Sequence, residues 1–152
     1  MTSIQKRIGL GFLAAVISVL IFHQGMWALL HFLEVPGLTM PPPYPIDAYG
    51  PLHVPRLLDL CFWGGLWGAA FGAVWRGRPS TYWWGGLLLG VVAVLTGFFI
   101  VAAIKGLPIG GGWKLANWGR SLLINGTWGL GVGLILTALS SQAARREDYA
   151  NR

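Results

Sequence analysis

Seven polar side chains interrupt long apolar runs in this chain: His23, Gln24, Asp59, Thr96, Arg120, Ser121 and Asn125. A polar or ionisable group at hydrocarbon depth is costly unless partnered. Each of the seven therefore marks either a ligand or proton site or a contact between helices. Counted at about 1.5 Å of rise per residue, His23, Gln24, Thr96 and Asn125 share one level, about 4–5 Å to the same side of the middle of their runs. Asp59, Arg120 and Ser121 form a second level about 10–11 Å out. His23, Trp27, His31 and Glu34 occupy one sector of the first run, and Asn117, Ser121 and Asn125 recur every four residues along the last. The pattern predicts a polar pocket open at one end of a helical bundle, with Trp27, His31, Glu34 and Asn117 at its rim.

Three chemistries fit such a pocket. The first is a small-molecule, ion or proton site, in which Asp59 and Arg120 pair because neither charge is tolerated alone at that depth. The second is structural. His23 and Gln24 bond Thr96 and Asn125 and hold the helices in register, Arg120 snorkels to headgroups, and Asp59 is favoured near a helix N-terminus. The third is haem ligation. His23 and His31 lie on one helix about 12 Å apart, too far along a single axis to clamp one iron, and His53 falls in a loop. The structural reading ranks first, since polar contacts between helices are common in membrane bundles. It implies no cofactor and no metal.

Catalytic signatures are missing from the sequence. The glycine-rich stretch 106–114 lacks the Gly-Lys-Ser/Thr of a phosphate loop, and no HExxH, CxxC or GxSxG occurs. The five acidic residues include two in the C-terminal tail, so few carboxylates could converge on a substrate, and the chain reads as a non-enzyme. Cys61 is the sole cysteine, which rules out an intrachain disulfide. The net charge of +6 does not indicate a nucleic-acid partner, because the cations flank apolar runs, where they meet lipid headgroups.

Four elements must position these residues: apolar runs at 8–33, 56–75, 82–104 and 115–139. Each is long enough to cross the ~30 Å hydrocarbon core as a helix, which takes about 20 residues. With 55 % hydrophobic and 11 % charged residues, against about 25 % charged in soluble domains, the chain is built for lipid. The fold class is all-α: a single-domain integral membrane four-helix bundle with antiparallel neighbours. The short 76–81 connection predicts that the second and third helices form a hairpin. Placing the N-terminus in the cytoplasm puts Lys6, Arg7, Arg76, Arg78, Arg145, Arg146 and Arg152 inside, and Arg56, Lys105, Lys114 and Arg120 outside. The positive-inside rule favours that orientation, with both termini cytoplasmic in a multi-pass protein of a bacterial inner membrane. The first run is too long, and lacks a small-x-small site, for a cleaved leader.

Segment 34–55 contains seven of the nine prolines, and 41–45 should be extended polyproline II, a strap across the top with Tyr44 and Tyr49 at headgroup level. Gly110, Gly111 and Gly112 predict a flexible turn, and 140–152 a polar tail on the inner surface. Helices in lipid associate over small residues. Gly64, Gly68 and Gly72, then Gly86 and Gly90, then Gly129 and Gly133, form smooth strips where another helix of the same chain, or a second copy, could seat. Trp27, Trp75, Trp83, Trp84, Trp113 and Trp118 fall near span ends as an aromatic belt, while Trp63 and Trp67 should pack inward. The expected role is a non-enzymatic accessory or scaffold component, partnered by the bilayer and by a larger complex or further copies of itself. The alternatives are a small oligomeric transporter or channel using the polar pocket and, last, a haem-binding electron carrier.

Overall fold

The computed structural model describes residues 3–150, and the side chains of residues 3–142. The architecture is helical, with four helices long and apolar enough to cross a membrane: α1 Ser3–Phe32, α2 Arg56–Val74, α3 Pro79–Ile104 and α4, whose apolar span Leu115–Gln142 continues as helix through Ala150. Helix thus begins earlier than the apolar run on α1, and α4 carries helix into what the sequence marks as a polar tail. The last two residues of that tail lie outside the described residues, as do the side chains of Arg145 and Arg146. A minimal two-stranded ribbon, Ala48–Tyr49 against Val54–Pro55, punctuates the loop between α1 and α2.

The order of packing departs from the hairpin expected for α2 and α3, which barely touch. In space the helices run α2, α1, α4, α3. The outer pairs, α1 with α2 and α3 with α4, are packed most closely, and α1 joins α4 in the middle. The glycines explain this pairing. A Cβ on Gly68 would overlap the Gly11 carbonyl and the Ala15 methyl, one on Gly72 the Arg7 carbonyl, and one on Gly64 the Val19 side chain. The four-residue repeat on α2 therefore meets a four-residue repeat on α1. On the other side Gly86 lies on Gly129, Gly90 on the Asn125 carbonyl and Gly133 on Tyr82, again backbone to backbone. Since all four helices are apolar over most of their surface, hydrophobicity does not single out one neighbour, and dispersion contact between bare backbones is what selects a partner. A connection of a few residues does not.

The central seam is built differently. Ser18 Oγ donates to the Trp128 carbonyl at 2.6 Å, and Trp128 Nε1 returns to the Ala15 carbonyl at 3.3 Å. Ser18 is fully buried, Trp128 is 3 % exposed, and Gly131 leaves room for Ser18 and Phe22. Outside these seams the surface is apolar: only 22 % of the α3 span is buried. Trp63, expected to pack inward, is exposed, because Gly64 and Gly65 and not their neighbour occupy the contact face. Trp27, assigned to the interfacial belt, is buried beneath the proline-rich segment.

Two glycines on α1 give a matched test of the seam. Gly11 has no space for a methyl group, whereas Gly9 has nothing nearby. Gly11→Ala should lower thermal stability in detergent by about 1–3 kcal/mol through overpacking. Gly9→Ala should be neutral or gain up to about 1 kcal/mol from reduced chain entropy. By the same reasoning Gly68→Leu should damage the fold far more than Leu66→Ala, since Leu66 faces outward. Equal melting within either pair would contradict the assignment.

Candidate functional site

The polar stripe of α1 is not an open pocket: the proline-rich segment lies along it. His31, Trp27, Gln24 and Leu20 follow one another at spacings of four, three and four, which places them on one face. Each makes a contact with the descending strap. His31 Nδ1–H donates to the Met40 carbonyl at 2.8 Å, and Trp27 Nε1–H donates to the Pro41 carbonyl at 2.8 Å. Gln24 Oε1 accepts the Tyr44 N–H at 2.6 Å, and the Tyr44 hydroxyl donates to the Leu20 carbonyl at 3.0 Å. The phenol thus reaches a backbone carbonyl about 4 Å from the middle of α1, counted along the helix. The strap therefore does not simply cross the end of the bundle: it runs along α1 toward the middle of that helix.

The chemistry of proline makes such a descent affordable. A backbone N–H taken out of water must find an acceptor. Pro41, Pro42, Pro43 and Pro45 have no N–H to lose. The one amide among them, at Tyr44, is met by Gln24, whose side chain is fully buried. On the way out the Pro45 carbonyl accepts from Leu57 N–H at 2.9 Å and the Asp47 carbonyl from Arg56 N–H at 3.0 Å, which also satisfies free amides in the first turn of α2.

The helix is adapted to receive the strap. Val19–His23 is wound as a π-helix, and Leu20 lies within it. A π segment widens the ladder of backbone bonds and offers a carbonyl to an outside donor, here the Tyr44 hydroxyl. Gln24 closes the segment. Its amide nitrogen donates to His23 Nδ1 at 3.2 Å, which places the imidazole proton on Nε2. His23 also lies against Trp27, with ring centroids 5.8 Å apart.

Above this contact Arg56 is sandwiched between two rings, its guanidinium carbon 5.4 Å from Trp27 and 5.2 Å from Tyr49. Lys105, from the end of α3, approaches the Tyr49 ring at 5.9 Å. Strap, ribbon and Arg56 enclose a cleft of about 470 Å3 that Asp47 also lines.

The remaining predicted residues are dispersed. Arg120 does not pair with Asp59. Its terminal nitrogens donate to Asn117 Oδ1 at 2.8 Å and to the Thr39 carbonyl at 3.3 Å, because α4 and α2 flank α1 on opposite sides. Asn125 bonds the Ser121 carbonyl of its own helix at 3.0 Å and not His23 or Gln24. Thr96 stands on α3, beyond α4 from His23, and opens a second π segment, Thr96–Val101. Glu34 is exposed and takes a left-handed conformation that ends α1. Asn117, in the first turn of α4, braces the glycine turn that precedes it. Its Nδ2 donates to the Gly111 carbonyl at 2.7 Å, while Trp118 Nε1 donates to that of Gly110 at 2.8 Å. Gly110, Gly111 and Gly112 are all left-handed, with φ near +63°, +61° and +67°, and these two side chains hold a turn expected to be flexible. No group of three or more His, Cys, Asp or Glu positioned for a metal occurs among the described residues.

No site role for Tyr44, Tyr49 or Arg56 follows from the sequence, yet the structure brings all three to the strap contact. One signal pointed to the strap: a run of prolines with a single intervening donor beside a span that carries an unexplained glutamine. Gln24→Leu, which strands the Tyr44 N–H, should destabilise the protein by about 1–3 kcal/mol, and Tyr44→Phe by about 0.5–1.5 kcal/mol. Both should show in thermal unfolding in detergent, and wild-type melting of Gln24→Leu would refute the contact. No family model, no curated protein and no solved structure matches this chain.

Proposed function

We propose that this chain is a non-enzymatic, multi-pass membrane component that works as a subunit of a larger membrane assembly, docking through the outer face of its re-entrant strap. The observation that carries this reading is the exposure of that face. Pro41, Pro42 and Tyr44 are exposed although their inner contacts extend down to Leu20. Irregular backbone at membrane depth is tolerated where protein or a water-filled cavity covers it, and not against lipid. A neighbouring membrane protein is the cover that such a surface calls for. Proline and tyrosine suit the purpose, because they present rigid apolar area with little conformational entropy to lose on binding.

Other features fit the same role. The intramembrane polar groups of α1 are engaged in holding the strap, as a structural part would require. The acids with described side chains are far apart in role: Glu34 ends α1, Asp47 lines the cleft and Asp59 lies in the first turn of α2. The four apolar spans and the largely apolar outer surface are what a multi-pass membrane protein needs.

A photo-crosslinking amino acid at position 42, activated in native membranes, tests the docking face directly. The same probe at Leu134, exposed on α4, is the comparison. Position 42 should yield one discrete protein adduct, and Leu134 lipid adducts. Lipid adducts alone at position 42 would overturn the proposal. An adduct consisting of two copies of this chain would identify the assembly as a homo-oligomer.

A further inference from the structure

At the opposite end of the bundle from the strap, where α1 begins and α2 passes into α3, a second cleft of about 370 Å3 is walled by Ser3, Arg7, Trp75, Arg76 and Tyr82. Its chemistry is one-sided. Two guanidinium groups line it. The acids with described side chains, Glu34, Asp47 and Asp59, all belong to the strap end. Arg7 is fixed in place, donating to the Trp75 carbonyl. Trp75 is stacked on Phe71 with ring centroids 5.5 Å apart, and its Nε1–H is buried without an acceptor. Ser3 belongs to the first turn of α1, where amides have no helical acceptor. Two guanidinium groups and the first-turn amides of α1 suit the cleft to an anion with several acceptor oxygens.

We propose that this cleft binds the phosphate of an anionic phospholipid headgroup. The surroundings favour a lipid over a free phosphate. Ile4, itself in the cleft wall, is 44 % exposed and Val74, next to Trp75 in sequence, 78 % exposed, so acyl chains leaving a bound headgroup would meet apolar surface. Arginine suits a phosphate because its planar fork donates two parallel bonds, and tryptophan and tyrosine are at home at headgroup level. Basic pockets between helices are a known way for membrane proteins to hold such lipids. The proposal rests on the chain being embedded in a bilayer and is independent of what covers the strap.

The test is native mass spectrometry of the protein released from nanodiscs of equal phosphatidylglycerol and phosphatidylcholine. The first lipid retained should be phosphatidylglycerol. Arg76→Gln should reduce that retention about tenfold, the loss of a charge-assisted contact to the phosphate. Arg78→Gln removes the same charge outside the cleft wall, where it acts only as a solvent-screened surface charge, and should leave retention within about twofold. Because Arg76 and Arg78 are both exposed in the α2–α3 connection, neither change threatens the fold. Equal losses in the two variants, or no preference for phosphatidylglycerol, would overturn the site. Displacement of the lipid by millimolar inorganic phosphate would likewise overturn a lipid assignment. A chain that stays monodisperse without detergent and takes up no lipid would sink the membrane reading along with the site.

Discussion

A peptide group taken out of water must find a partner within the protein, and this single requirement organises the molecule. Four segments answer it as helices, whose backbone groups satisfy one another. The strap answers it by a different route, giving up donors through proline and supplying the last one with a buried glutamine. The π segment of α1 completes the exchange by presenting the Leu20 carbonyl to the Tyr44 hydroxyl. Helix, strap and polar stripe are therefore one device. Remove the strap, and Gln24, Trp27 and His31 lose the partners of their polar side-chain atoms.

A second constraint sets which helices touch. Where helices are apolar nearly all round, a helix gains by approaching the neighbour whose backbone it can reach most closely. Gly11, Ala15, Gly68 and Gly72 make one such seam, and Gly86, Gly90, Gly129 and Gly133 the other. Each pair would be a two-helix unit by itself. Ser18 and Trp128 join them through reciprocal bonds to opposing carbonyls, an exchange of polar groups with no surplus donor at the seam. The arrangement leaves α2 and α3 at the flanks, with most of their apolar surface outward.

The four long apolar helices could be read from the residues because each is one apolar run of about 20 residues or more, the length that could cross a bilayer. The glycine strips were readable as surfaces for close approach, since a four-residue period maps onto a helix face. Pairing was not. Gly64, Gly68 and Gly72 announce a smooth face without saying which helix takes it, and the matching Gly11 and Ala15 look ordinary among many small residues. Depth arithmetic gave the heights of Asp59 and Arg120 and said nothing of the helix between them. The run from Pro41 to Pro45 reads identically whether it spans the surface or descends, because polyproline II carries no record of its surroundings. The segment Val19–His23 has no local feature that separates π from α winding. Gln24 was recognised as out of place in a span, yet its partner lay twenty residues away, in a loop.

The most direct measurement is amide hydrogen exchange at Tyr44 with the protein in lipid nanodiscs. Bonded to a fully buried glutamine, that amide should exchange orders of magnitude more slowly than the amide of Leu52, which lies in the exposed part of the same loop. Exchange at Tyr44 as fast as at Leu52 would mean that the strap does not enter the bundle, and the explanation of the polar stripe would fail with it.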